Sequence, residues 1–187
     1  MPPLPPGETS LITLRLRGTL PAATAHELKA ALAATQAIGL CHHRARKQVF
    51  GRFDAALDER PVGPQYFENK AIAEELAGEL AMLKELGFVV HGFAILPNHA
   101  HAVLHLPARS NLSFAKALDL LHQRTEAACR RLVHPRLPPE ALFWQPGWHE
   151  VPLADAAELT RALVYLRRQA DRGRLAERYQ AWPYCND

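Results

Sequence analysis

The sequence has few cysteines and no two of them in Cys-x-x-Cys spacing. Cys41, Cys129 and Cys185 lie far apart in 187 residues, so neither a disulfide framework nor a zinc knuckle is indicated, and a reducing, cytoplasmic setting is expected. No apolar stretch approaches membrane-spanning length, which argues against a membrane partner. The Pro-rich start lacks the basic and apolar regions of a secretory signal, and residues 1–10 read as a flexible arm. A strong excess of charge is also missing. The 22 Lys and Arg against 19 Asp and Glu leave a net +3, compatible with nucleic acid but too mild to demonstrate it. No internal repeat interrupts the chain. What it does have is apolar: 48% hydrophobic residues are enough for one domain with a real core, expected over residues 11–187.

Ile12, Leu14 and Leu16 alternate with Thr13, Arg15 and Arg17, the two-residue period of a half-buried strand that carries arginines on one face. Residues 22–37 read as helix, and residues 39–65 as mixed helix and loop. Asn69 is placed to cap a helix to about Leu86, ended by Gly87. Residues 88–96 and 99–106 flank the turn pair Pro97-Asn98 and predict an antiparallel hairpin. Ser110 or Asn111 is expected to cap a helix to about Val133, residues 143–152 to form an aromatic connection, and Asp155 to cap a last helix to Arg172 before Gly173. This order of elements predicts an α+β fold, an antiparallel sheet flanked by helices.

In a strand, residues i and i+2 leave the same face about 6 to 7 Å apart, so His99 and His101 can converge on one ion. Alone, the pair reads more readily as a solvated strand face, because a metal site needs a third ligand and a supporting shell. On the last helix Leu159, Leu163, Leu166 and Ala170 form an apolar stripe, and Tyr165 falls on the opposite side with Arg161, Arg168 and Arg172. A phenol among guanidiniums suits phosphate chemistry, and it equally suits a surface tyrosine packed by cation-π contact. Trp144, Trp148 and Trp182 are candidates for stacking bases or for packing in the core. The run Cys41-His42-His43 has no partner that would make it a zinc site.

The stretch Gly92-Phe93-Ala94-Ile95-Leu96-Pro97-Asn98-His99-Ala100-His101-Ala102-Val103-Leu104 resembles the HUH motif of the single-domain tyrosine transposases, and most of all that of the REP-associated ones. Residues 13–21 are similar to their first strand and Phe143-Trp144-Gln145-Pro146 to a segment before their last helix, so the likeness spans nearly the whole chain. It implies a ferredoxin-like HUH nuclease fold and puts Tyr165, within Leu163-Val164-Tyr165-Leu166, at the place of the catalytic tyrosine. It also implies that Gln169, four residues on, joins His99 and His101 on the metal, although relatives usually read Asn-Pro where this chain has Gln169-Ala170.

The same resemblance implies a divalent ion, Mg²⁺ or Mn²⁺, and cleavage and rejoining of single-stranded or hairpin DNA through a 5′-phosphotyrosine. Arg15, Arg17, Arg161, Arg168 and Arg172 would supply backbone contacts. A homodimer is left open. Two rivals stand beside this reading: an idle hairpin-binding module, and a hydrolase that activates water on His99 and His101 without Tyr165.

Overall fold

The computed structural model describes residues 4–37, 42–58, 62–169 and 185–186. Its sheet is antiparallel in the order β4-β1-β3-β2-β5, built from β1 (Gly7–Arg15), β2 (Val89–Leu96), β3 (His99–Pro107), β4 (His149–Pro152) and the two-residue β5 (Cys185–Asn186). Among the described residues five α-helices accompany it: α1 (Ala22–Ala37), α2 (His42–Asp58), α3 (Lys70–Met82), α4 (Phe114–Leu132) and α5 (Ala156–Arg167). The α+β architecture is therefore the one the element order predicts.

The predicted hairpin is present, and its turn is fastened on both sides. Leu96 pairs with His99, leaving Pro97 and Asn98 as a two-residue connection. The Asn98 carbonyl accepts from Leu16 N (3.0 Å), and the Pro97 carbonyl accepts from Phe67 N (3.1 Å). This holds the start of β3 rigidly against the end of β1, where Arg15 faces His99 and Thr13 faces His101.

Both faces of the sheet are covered, which corrects the reading of β1 as half-buried and of the His99 and His101 face as solvated. One face, with Ile12, Leu14, Ala100, Ala102 and Leu104, packs on Ile72, Leu76 and Leu80 of α3 and on Leu118 and Leu121 of α4. The other, with Leu11, Ala94, Leu96 and Val103, packs on Ala162, Tyr165 and Leu166 of α5 and on Phe50 of α2. A strand buried on both sides needs apolar residues or satisfied polar ones at every position. That is how β3 comes to carry buried histidines.

Three boundaries differ from expectation. β1 begins at Gly7, inside the stretch read as an arm, because Gly7 to Ser10 pair with Pro107 to Leu104. The cap of α4 is Ser113, whose Oγ accepts from Lys116 N (3.3 Å), whereas Ser110 Oγ holds a local turn by accepting from Leu112 N (3.2 Å). The aromatic connection contains the edge strand β4, which pairs with β1 through Val151 and Leu11. On α5 the Asp155 cap is as expected, with Glu158 N donating to Oδ1 (2.8 Å) and Glu158 Oε2 accepting from Ala154 N (2.8 Å). Residues 170–173, where that helix was expected to end, lie outside the described residues, as do Cys41 and Trp182.

Candidate metal centre and nucleophile

The site forms where the histidine face of β3 meets α2 and α5. His99 and His101 are 0% exposed, with their Nε2 atoms 3.1 Å apart. Side-chain partners fix the outer nitrogen of each ring. Asn98 donates through Nδ2 to the Leu57 carbonyl (3.1 Å), which turns its Oδ1 to His99 Nδ1 (2.7 Å). An amide oxygen can only accept, so Nδ1 carries the proton and Nε2 presents a lone pair inward. His101 Nδ1 is likewise engaged, by Thr13 Oγ1 at 2.9 Å. Burial first, and then the neighbouring His101, push the His99 pKa well below 6.5, so the ring is neutral as a metal ligand must be.

α2 supplies two carboxylates that the sequence reading missed. Asp54 Oδ1 lies 3.2 Å from His101 Nε2 and accepts a hydrogen bond from Tyr165 Oη. Asp58 Oδ1 lies 3.5 Å from His99 Nε2. Burial works to raise the Asp54 pKa, but hydrogen bonds from His101 and Tyr165 and the electrostatic interaction with the neighbouring imidazoles outweigh it and hold the carboxyl below its usual value. No local signal marked the pair, since two acids at i and i+4 on a helix ordinarily form a solvated face. Arg46 with Glu150 (3.2 Å) and Lys47 with Glu158 (2.5 Å) anchor α2 to β4 and to α5.

Tyr165 was expected on the exposed side of its helix, and the structure overturns this. It is 9% exposed, and the buried face of α5 runs through Ala162, Tyr165 and Leu166, with Gln169 buried just past the end of the helix. The phenol is tolerated there because its hydroxyl reaches both Asp54 and His101 Nε2 (3.0 Å). The expected guanidinium surroundings are absent among the described residues: Arg161 and Arg168 are exposed, and Arg161 lies 3.9 Å from Glu158. Arg172 lies outside the described residues. Arg17 is exposed, with Nη1 3.5 Å from Gln145 Oε1, while Arg15 is partly buried beside a small cavity.

Asp54, His99 and His101 form a buried group that could hold a divalent metal, each offering one donor atom within 4.8 Å of the others. Gln169 joins the same cluster through Asp58. It is 0% exposed and donates from Nε2 to Asp58 Oδ2 (2.9 Å), which leaves its buried Oε1 without a hydrogen-bond partner among the described residues. A buried acceptor without a donor is costly unless a ligand satisfies it. Two imidazoles and a carboxylate are donors that suit a divalent cation.

No protein-family profile matches the sequence, and no curated protein matches it. A solved structure of a REP-associated tyrosine transposase bound to a REP hairpin matches the fold with a TM-score of 0.54. The match covers 99% of this chain and 79% of that one at 12% identity. The chain thus shares the fold of that transposase structure, and it carries a buried histidine and carboxylate group where β3 meets α2 and α5.

Proposed function

We propose that the protein is a metal-dependent endonuclease of the tyrosine-HUH kind, which cleaves and rejoins single-stranded DNA at hairpins through Tyr165. The observation that carries this reading is the contact of the Tyr165 hydroxyl with His101 Nε2 and Asp54, which sets a nucleophile against a metal-ligand set. The transposase neighbour, a protein bound to a DNA hairpin, supports DNA as the partner.

His99, His101, Asp54 and Gln169 would hold Mg²⁺ or Mn²⁺, and a bound divalent ion supplies Lewis acidity toward a phosphodiester. Tyr165 Oη attacks phosphorus while its proton passes to the Asp54 carboxylate. The phosphorus–O3′ bond breaks, and the products are a 5′-phosphotyrosine and a strand with a free 3′-hydroxyl. The new ester keeps the bond energy, so attack by a 3′-hydroxyl rejoins DNA without another energy source. Arg17, Arg161 and Arg168 are exposed and contact the DNA backbone in this reading. Both histidines are 0% exposed and are covered by side chains of α2 and of Tyr165 on α5, so DNA must displace part of that cover to reach them.

Incubating the protein with a labelled hairpin bearing a single-stranded flank, with and without Mn²⁺, tests the proposal. The expected product is a metal-dependent nick with one DNA fragment attached to protein. Nicking with no attached fragment would favour activated water, and binding without nicking would favour an idle module.

A further inference from the structure

The histidine-bearing face of the sheet continues into a cavity that the proposed reaction does not use. It encloses about 190 Å³ and is lined by Thr13, Arg15, Phe53, Gln145, Trp148 and His149. At roughly 30 Å³ per water, that is room for about six waters, the scale of one heterocyclic ring rather than of a length of chain. β1 sets its position. Thr13 and Arg15 leave the strand on one face, opposite His101 and His99 in the ladder, and Thr13 is also bonded to the His101 ring. The cavity thus lies one strand away from the metal donors.

Arg15 is its unusual member. The guanidinium is partly buried, and among the described residues no carboxylate acts on it; burial first, and then the like charge of Arg17, lower its pKa to about 10. A desolvated cation beside another cation is unfavourable unless acceptors reach it. The walls are aromatic. His149 stacks on Phe53 with ring centres 4.6 Å apart, and burial ahead of Arg46 and His101 lowers its pKa to about 4, so this ring is neutral. Trp148 forms another side. Flat neutral walls around one two-pronged donor suit an unstacked base, whereas a phosphate would require charged donors on several sides.

We propose that this cavity is a single-base subsite for the DNA strand, in which Arg15 selects bases that carry two adjacent acceptors on one edge. Guanine offers O6 and N7, and unpaired cytosine offers O2 and N3; adenine and thymine alternate donors with acceptors along their edges. The inference rests on the proposed DNA-cleaving function for its ligand and is independent of Tyr165 as nucleophile.

The test uses four labelled nonamers, a central A, C, G or T flanked by four thymines on each side, titrated by anisotropy against Tyr165→Phe protein so that binding is read without cleavage. A flexible strand slides, so the central base finds the cavity. The G and C nonamers should bind about tenfold tighter than the A and T ones, the order of discrimination one bidentate arginine supplies. Arg15→Met should erase the difference, and Arg15→Lys, which keeps the charge but loses the fork, should bind all four without preference. Equal binding of the four by the parent, a preference that survives Arg15→Met, or no binding at all would overturn the subsite. A Tyr165 adduct without base preference would remove the subsite and leave the nuclease standing; base preference without an adduct would do the reverse.

Discussion

If the buried donors hold an ion, adding that ion should stabilise the fold by an amount that can be worked out beforehand. The donors converge: His99 Nε2 and His101 Nε2 stand 3.1 Å apart, Asp54 is within 3.2 Å of His101, and Gln169 Oε1 is a buried acceptor. An ion that binds only the folded chain stabilises it by about 2.7 kcal/mol at a hundred times its dissociation constant. For 187 residues the unfolding entropy is about 0.4 kcal/mol per kelvin, so the midpoint should rise by about 7 °C. Differential scanning calorimetry of metal-stripped protein, with Mn²⁺ raised from micromolar to millimolar, reads this shift directly. The His99→Ala/His101→Ala variant should show no shift whatever its own midpoint. An equal rise in that variant would place the ion elsewhere and refute the assignment, as would a parent protein indifferent to both Mn²⁺ and Mg²⁺.

Asn98→Ala removes the acceptor that orients His99 and a bond to the Leu57 carbonyl, so it should cost about 1–3 kcal/mol and weaken metal binding roughly 10- to 100-fold, read by urea melts and calorimetric titration. Gln169→Ala should raise the metal concentration needed for cleavage, with partial recovery at high Mn²⁺; a titration that overlays the parent's would exclude Gln169 as a ligand. His122 is stacked on Trp144, far from the sheet face that bears the metal donors, and burial lowers its pKa to about 4 against the opposing pull of Asp119 and Glu126. Its folded value lies below its unfolded one, so the unfolded chain takes the proton first. Stability should then fall as pH drops from about 6.5 to about 4, by roughly 3 kcal/mol. Urea midpoints at pH 7 and 4.5 should differ less in His122→Phe than in the parent, and an identical pH dependence would contradict this.

The hairpin and its histidines were legible because local signals agree there: two β-prone runs, a Pro-Asn turn and a two-residue period. The face of α5 was not, since hydropathy alone sorts Tyr165 and Gln169 with Arg161 and Arg168. What buries the first two is a set of polar partners more than sixty residues away in sequence, Asp54, Asp58 and His101. Those acids sit in a segment read as mixed helix and loop. Without knowing that α2 covers the second face of the sheet, nothing in the segment demanded that they be buried. β4 escaped for a simpler reason: four residues between Trp148 and Leu153 show too little alternation to declare a strand.

The most direct measurement of the central claim is the identity of the residue that carries DNA after cleavage. Protein incubated with a flanked hairpin and Mn²⁺ would be digested with protease and nuclease, and the modified peptide sequenced by mass spectrometry. A nucleotide 5′-phosphate on Tyr165, absent from the Tyr165→Phe protein, is the expected result. A nucleotide on another side chain, or an adduct that persists in Tyr165→Phe, would contradict it.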